Sequence, residues 1–100
     1  MEYTQRFNGS TFEMTLKGKF TFADHLTFEE LFASLAAGKI KDLTVDCTGL
    51  EFIDSAALAV FLLIRDETVD RKIMVTLKGA TGQVQKMFEL ARFYDLFNIV

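Results

Sequence analysis

The feature that most constrains the fold of this chain is a repeated change in the spacing of its apolar residues. Residues 12–16 and 43–47 alternate between apolar and polar side chains, which is typical of strands with one buried face. Residues 28–35 and 84–91 place apolar side chains at i, i+3, i+4 and i+7, the stripe of a helix packed on one side. Strands that alternate with helices pair in parallel through right-handed crossovers, so the pattern predicts an α/β fold with helices packed on a central sheet.

The start of the chain predicts an antiparallel hairpin within the first 18 residues. Asn8-Gly9 is the strongest short turn signal, because both residues tolerate positive φ, and a two-residue turn there pairs Phe7 with Ser10. Gly18 is expected to end the second strand of the hairpin. Because the hairpin is antiparallel and the later strands are parallel, the predicted sheet is mixed.

The rest of the chain alternates between helices and strands. The predicted ranges are 28–35 for a first helix, 40–47 for a strand, about 55–69 for a second helix, 73–77 for a strand and 97–100 for a last strand, with a third helix capped by Thr81. Thr21 with Asp24, or Thr27 with Glu30, can form a capping box before the first helix. Gly49 is expected to lie in the loop that follows the strand at 40–47.

The complete order is therefore β-β-α-β-α-β-α-β, and it fills one domain. The chain has 100 residues and no proline, and no linker, repeat or low-complexity stretch interrupts it. Hydrophobic residues make up 50% of the sequence, which is enough for one packed core. We expect residues 1–100 to form a single domain with about three helices on a mixed sheet.

Composition disfavours several classes of function. The formal net charge is −3, with 11 basic against 14 acidic residues and no basic stripe, so neither nucleic acid nor an anionic membrane is an expected partner. The longest apolar run covers residues 56–64, which is shorter than the about 20 residues that span a bilayer. The first residues lack the basic and apolar regions of a signal peptide, and a single cysteine can form no internal disulfide. We expect a cytoplasmic protein with no membrane insertion.

Most motifs that carry chemistry or hold a cofactor are missing from the sequence. It contains no phosphate-binding loop, no dinucleotide-binding glycine pattern, no Cys-x-x-Cys pair and no zinc-protease motif. We interpret the single cysteine, Cys47, as a core residue and the single histidine, His25, as a surface residue, and we expect no metal and no cofactor. An acidic catalytic site made of Asp46, Asp54 and Ser55 is the weakest interpretation, because no base is positioned for the serine.

One segment, residues 48–59, has a distinctive arrangement. A predicted strand ends there, a short loop follows, and a helix begins at about Asp54-Ser55. In open sheets with parallel strands, sites gather beyond the carboxyl ends of the strands. Taken alone, the residues favour Ser55 as the N-cap of this helix, a role worth about 1 kcal/mol.

A second interpretation makes Ser55 a phosphorylation site. Ala56, Ala57 and Ala59 give the first helical turn a low profile, so another protein can approach the Ser55 hydroxyl closely. A phosphate there would face free backbone N–H groups and the positive end of the helix dipole. It would also lie beside Asp54, and its charge of about −1.5 to −2 would change the surface that a partner meets.

The segment Phe52-Ile-Asp-Ser-Ala-Ala-Leu-Ala59 resembles the signature of STAS domains, a family named for sulfate transporters and anti-sigma factor antagonists. The family pattern is an apolar pair, Asp-Ser, any residue and Gly-Leu-Gly, and Ala57 and Ala59 stand where the family has its glycines. The strands at 43–47 and 73–77, before and after the signature, also resemble the family. The resemblance covers nearly the whole chain and is closest to stand-alone bacterial anti-sigma factor antagonists.

The resemblance implies a phosphorylation-controlled binding switch and not an enzyme. In such proteins the signature serine, here Ser55, is phosphorylated by a serine kinase that is often the anti-sigma factor itself, and a PP2C-type phosphatase removes the phosphate. The unphosphorylated form binds the anti-sigma factor and frees a sigma factor, which regulates transcription. The residues that the resemblance implies for partner binding are Asp54, Ser55, Ala56, Ala57, Leu58, Ala59, Thr21 and Asp24.

A different class of function remains open at this point. Some STAS domains are structural subunits of transporters or lipid-transport ATPases and have no phosphorylation cycle, so the alternative is a constitutive subunit of such a complex. The chain itself is expected to be a monomer or a weak dimer. Phe52, Ile53 and Leu58 are expected to form an apolar patch suited to a protein interface.

Overall fold

The computed structural model of the chain describes residues 1–24, 26, 27, 30, 33 and 40–100. The strands and α-helices bounded in this part of the chain are β1 (Glu2–Asn8), β2 (Thr11–Phe20), β3 (Asp42–Ile53), α1 (Ser55–Val69), β4 (Met74–Lys78), α2 (Gly82–Leu90) and β5 (Asn98–Ile99). Short 3₁₀ turns cover Phe22–Asp24 and Phe93–Asp95. The apolar stripe of the helix predicted over residues 28–35, and also His25, lie outside the described residues.

The strands form one five-stranded mixed sheet in the order β1-β2-β3-β4-β5. β1 pairs antiparallel with β2, and the other neighbouring pairs are parallel. β2, β3, β4 and β5 are parallel and follow one another in the sheet in sequence order. Right-handed crossovers between such strands place all the connecting segments on the same face of the sheet. The predicted mixed α/β sheet is thus confirmed. In the described part of the chain, α1 and α2 pack on it.

The core lies between the sheet and its helices. Alternate side chains along the central strands are buried: Phe12, Met14, Leu16, Leu43, Val45, Cys47, Val75 and Leu77. An aromatic cluster joins this layer to the helices, with Phe61 of α1 at its centre. The ring centroid of Phe61 is 5.7 Å from that of Phe20 and 5.5 Å from that of Phe88. Edge-to-face rings at such distances stabilise a core beyond the area they bury. The interpretation of Cys47 as a core residue is confirmed.

The turn of the first hairpin lies one residue later than the sequence predicts. β1 extends to Asn8, so the turn residues are Gly9 and Ser10, and Phe7 faces Phe12 where Ser10 was expected. Gly9 has a φ of +63°, whereas Ser10 has no positive φ. A type II′ turn needs positive φ only at its first central position, which Gly9 supplies. The predicted register is therefore wrong, but the shift is by an even number of residues and leaves the same side chains on each face.

β2 and β3 both continue past the glycines that the sequence analysis assigns to their ends. β2 runs through Gly18 to Phe20, and β3 runs through Gly49 to Ile53. Their pairing shifts register twice along this stretch, which identifies bulges. Gly18 has a φ of +87°, and a Cβ at Gly49 would come within 2.8 Å of the Lys17 side chain. A glycine inside a strand allows such a bulge or close approach, so it need not end the strand.

This extension makes β3 much longer than β4. β3 has 12 residues and β4 has 5, and β4 pairs only with residues 42–46 of β3. The end of β3 therefore projects beyond β4, and in the part of the chain that the structure describes its strand neighbour is β2, where Phe20 faces Ile53. This projecting end carries the start of α1 and so positions the candidate site.

Candidate functional site

The predicted helix from about Ser55 to Val69 is confirmed as α1, but its cap is a different residue. Asp54 is the N-cap, with extended backbone (φ −106°, ψ −178°), and its Oδ1 accepts a hydrogen bond from the Ala57 N–H at 2.9 Å. Ser55 is the first helical residue, so the assignment of Ser55 as N-cap is wrong. A carboxylate at the N-cap supplies the capping bond and also a negative charge that the helix dipole favours. The serine hydroxyl is left out of the cap.

Asp54 also connects α1 to the loop that follows β2. Its Oδ2 accepts a hydrogen bond from the Phe22 N–H at 3.1 Å, and its own N–H donates to the Phe20 carbonyl at 3.3 Å. Both carboxylate oxygens of Asp54 are therefore engaged with backbone groups of this chain. The residue that the resemblance implies for partner binding thus holds the start of the helix in place.

Ser55 lies on the surface at the first turn of α1. The residue is exposed, and its hydroxyl makes no hydrogen bond with any residue that the structure describes. Of its neighbours, Ala57 is buried, whereas Ala56 is half-buried and Ala59 is exposed. The N–H groups of Ser55 and Ala56 have no acceptor among the described residues. The hydroxyl is accordingly reachable, and an anion attached to it would find two open donors and the positive end of the helix.

The helix presents an apolar face that begins at Ser55. α1 buries one stripe of side chains, consisting of Ala57, Phe61, Ile64 and Thr68. The opposite stripe is Ser55, Ala59, Leu62 and Leu63, spaced at i, i+4, i+7 and i+8, and we call it the outer face of α1. Leu62 is 39% exposed and Leu63 is 52% exposed. Neighbouring large apolar side chains without a cover are typical of protein interaction surfaces.

The loop after β2 lies beside this start of α1, because Phe22 donates its N–H to Asp54. The Thr21 N–H donates to Asp24 Oδ2 at 2.9 Å, which is one half of the predicted capping box, and the element that follows is the 3₁₀ turn. The other oxygen of Asp24 accepts from the Met1 ammonium at 3.2 Å. Both carboxylate oxygens of Asp24 thus accept hydrogen bonds from N–H groups of this chain. The Phe22 side chain of this loop is 69% exposed.

The predicted patch of Phe52, Ile53 and Leu58 is only partly on the surface. Phe52 is 39% exposed and Leu58 is half-buried, whereas Ile53 is fully buried. Ile53 lies in the core because the regular alternation of β3 ends after Cys47, and in the bulged stretch that follows the buried positions are Leu50 and Ile53. Phe22, which sequence analysis did not select, is more exposed than any member of that patch.

Gln83 is a second residue that sequence analysis missed. Its Oε1 accepts a hydrogen bond from the Ile53 N–H at 3.0 Å, and its Nε2 donates to the Ile53 carbonyl at 2.8 Å. A glutamine near the start of a helix carries no signal of such a contact, because the two residues are 30 positions apart. The side chain holds the last residue of β3, next to the Asp54 cap.

Asp46 lies far from Ser55 and takes no part in this site. At a rise of about 3.3 Å per residue, its position in mid-strand places it on the order of 20 Å from the end of β3. It accepts hydrogen bonds from the Thr48 hydroxyl at 2.6 Å and the Thr48 N–H at 2.9 Å. The hydroxyl bond holds the pKa of Asp46 below its usual range, with help from the Lys78 charge. Burial raises the pKa of its neighbour Cys47 to about 12. An acidic catalytic site of Asp46, Asp54 and Ser55 does not form.

The described residues show neither a metal site nor a membrane-spanning helix. No three of their His, Cys, Asp and Glu side chains come together in a way that could hold a metal ion. No helix in this part of the chain is both long and apolar enough to cross a membrane. The exposed Ser55 at the start of α1 is therefore the candidate functional site.

Comparison with known families identifies the class of protein. The family described as "Mlab, STAS domain" matches residues 3–99. Because this match covers nearly the whole chain, the chain belongs to the STAS domain family. A STAS-domain containing protein of Pseudomonas aeruginosa (strain UCBPP-PA14) is 26% identical over 92 residues, which is 92% of this chain and 90% of that protein.

Solved structures share the fold at low identity. A candidate anti-sigma factor antagonist of Thermotoga maritima has a TM-score of 0.89 at 16% identity, covering 97% of this chain and 84% of that chain. The anti-sigma factor antagonist SpoIIAA in its unphosphorylated form has a TM-score of 0.78 at 14% identity, covering 99% and 87%. The Bacillus protein SpoIIAA in its phosphorylated form gives 0.78 at 14% identity, covering 99% and 91%. The fold of this chain is the SpoIIAA-like fold.

Proposed function

We propose that this chain is a cytoplasmic anti-sigma factor antagonist whose state is set by phosphorylation of Ser55. In its unphosphorylated form it binds an anti-sigma factor with serine kinase activity and releases a sigma factor for transcription. The kinase transfers a phosphoryl group from ATP: the Ser55 Oγ forms a bond to the γ-phosphorus, the bond to ADP breaks, and a base of the kinase takes the hydroxyl proton. A PP2C-type phosphatase hydrolyses the product. The chain is the phosphoacceptor and catalyses neither step.

The observation that carries this proposal is the exposed hydroxyl of Ser55 at the first residue of α1. A kinase can reach it, because the alanines of the first turn leave room around it. A phosphate on it would accept hydrogen bonds from the open N–H groups of Ser55 and Ala56 and would face the positive end of the helix dipole. The domain would therefore tolerate the modification without refolding, and only the partner would respond to it.

The surroundings of Ser55 supply the reason for a partner to respond. Exposed apolar side chains lie on the same helix as the serine, at Leu62 and Leu63 of the outer face of α1, and in the loop bonded to the start of that helix, at Phe22. A partner that covers this surface would have to bury the phosphate, which carries about −1.5 to −2 charges, and its desolvation opposes binding. To change a partner from mostly bound to mostly free, the two states must differ by up to about 5.5 kcal/mol in binding free energy.

The comparisons support this proposal through the fold. SpoIIAA resembles this chain with the same TM-score, 0.78, in its unphosphorylated and its phosphorylated form. The similarity to both forms supports a switch that acts through surface charge, because such a switch requires no other fold.

A binding experiment with matched variants tests the proposal. Purified chain is incubated with ATP and a lysate of the source cells, and Ser55 is examined by mass spectrometry for the gain of one phosphate. The unmodified chain, Ser55→Ala and Ser55→Asp are then used to capture partners. We expect wild type and Ser55→Ala to capture the kinase and Ser55→Asp to lose it. Thr81→Asp is the control, because Thr81 is also exposed at the start of a helix, as the N-cap of α2.

The result also separates the proposal from its alternative. Capture of the kinase by Ser55→Asp as strongly as by wild type would contradict the switch. If no phosphate is gained and the chain instead copurifies with a transporter or lipid-transport ATPase, it is a constitutive structural subunit of that complex. The Thr81→Asp control shows whether a negative charge at any helix start produces the same loss.

A further inference from the structure

Ile53 is held on one side by a side chain that takes the place of a strand. β4 ends at Lys78, which faces Asp46, so β4 leaves the end of β3 without a neighbour on that side. Gln83 fills the gap with its two hydrogen bonds, at 3.0 Å from the Ile53 N–H and at 2.8 Å to the Ile53 carbonyl. In a parallel sheet the N–H and C=O of one residue are bonded by the adjacent strand. The Gln83 amide reproduces this pair of bonds.

The same short segment is tied on its other side to β2. Asp54 donates its N–H to the Phe20 carbonyl at 3.3 Å, and its carboxylate caps α1 through the Ala57 N–H at 2.9 Å. One residue separates Ile53 from Ser55. Among the described residues, the backbone that carries the serine is attached on one side to β2 and its following loop through Asp54, and on the other side to α2 through Gln83.

We propose that Gln83 is a positioning residue of the Ser55 switch: by holding both backbone groups of Ile53, it fixes where the Ser55 hydroxyl is presented. This inference rests on the proposed function. Phosphoryl transfer needs the attacking oxygen in line with the phosphorus, and misplacement by about 1 Å can slow such a reaction by about 100-fold. Without Gln83 the end of β3 is attached on the β2 side only, so the hydroxyl samples more positions and meets the kinase less often in the reactive one.

The test compares variants that separate position from overall stability. Gln83→Met keeps the length of the side chain but removes the amide that binds Ile53. Gln85→Met is the matched control, because Gln85 is exposed on the same helix and its side chain makes no hydrogen bond with a described residue. Val84→Ala is the stability control, since Val84 is fully buried next to Gln83 in the sequence and its truncation weakens the domain while the Gln83 amide is kept.

Two measurements are made on each variant. Hydrogen exchange followed by NMR reports the protection of the Ile53 N–H, and mass spectrometry reports the rate of phosphate gain on Ser55 with ATP and a lysate of the source cells. For Gln83→Met we expect exchange at Ile53 to rise by about tenfold, as loss of a hydrogen bond allows. We expect its phosphorylation rate to fall by at least about fivefold, while Gln85→Met and Val84→Ala keep the wild-type rate. Gln83→Glu can still accept from the Ile53 N–H, but its second oxygen would face the Ile53 carbonyl in place of the donor, so it should not recover the wild-type rate.

Each outcome decides the inference. Unchanged exchange at Ile53 in Gln83→Met overturns it, and so does a wild-type phosphorylation rate in that variant. A fall in rate that Val84→Ala reproduces would show that Gln83 acts only through stability, which also overturns it. If the wild-type chain gains no phosphate, the proposed function fails, and with it the part of the inference that concerns the kinase. The exchange measurement then still decides whether Gln83 holds the end of β3.

Discussion

Replacing Asp54 with alanine tests how the start of α1 is built. The substitution removes the capping bond to the Ala57 N–H and the second bond to the Phe22 N–H, at 2.9 Å and 3.1 Å. Loss of an N-cap costs about 1 kcal/mol, and loss of a bond to a charged acceptor costs about 1.5–3 kcal/mol. Asp54 is half-buried, so water compensates part of this. We expect Asp54→Ala to lower the free energy of unfolding by about 2–4 kcal/mol.

Urea denaturation followed by circular dichroism measures this loss. With a slope of about 2 kcal/mol per molar urea, the midpoint should fall by roughly 1–2 M. Asp54→Asn keeps one capping oxygen but turns its NH2 group toward the Phe22 N–H, so it should lose an intermediate amount, about 1.5–3 kcal/mol. Asp70→Ala is the control, because Asp70 is exposed at the other end of α1 and should change stability by no more than about 0.5 kcal/mol. If Asp54→Ala is as stable as Asp70→Ala, Asp54 does not hold the helix to the loop and the reasoning fails.

The remaining predictions concern the core, one glycine and the outer face of α1. The pKa of Cys47 is raised from 9.0 to about 12 in the folded chain. The buried neutral thiol therefore contributes fully to the free energy of unfolding below pH 9.0, and this contribution is lost as the pH rises toward 12. The difference in unfolding free energy between wild type and Cys47→Ala should therefore shrink over that range in urea titrations. Gly9→Ala and Gly79→Ala should each cost about 1–2 kcal/mol, because both glycines have positive φ. Gly79→Ala should destabilise the chain more, because only at Gly79 would the added Cβ collide with a neighbouring side chain, that of Thr48. Leu62→Asp and Leu63→Asp should abolish capture of the partner while lowering the free energy of unfolding, measured in urea, by only about 1–2 kcal/mol; retained capture would exclude the outer face from the interface.

The secondary structure follows from local patterns, and so most of it could be predicted. The alternation at residues 12–16 and 43–47 and the stripe at 84–91 depend only on which face of each element is buried. The errors fall at glycines. Gly18 and Gly49 look like strand ends in the sequence, but in the fold they are places where two paired strands bulge or approach closely. Whether a glycine ends a strand depends on the neighbouring strand, which the local sequence does not specify.

The candidate site could be predicted only in part. The position of Ser55 at the start of a helix follows from the strand and helix patterns, but either Asp54 or Ser55 can cap that helix. The choice depends on the loop after β2, because Asp54 also accepts the Phe22 N–H. The contact of Gln83 with Ile53 joins residues 30 positions apart and exists only because β4 is shorter than β3. Long-range contacts of this kind need the assembled sheet.

Affinity measured on two chemically defined forms of the chain tests the central claim most directly. One form carries a phosphate on Ser55 in every molecule and the other carries none, and each is titrated by calorimetry with the kinase that the unmodified chain captures. We expect the dissociation constant of the phosphorylated form to be at least about 100-fold larger, a difference of about 2.7 kcal/mol. Equal dissociation constants for the two forms would contradict the account.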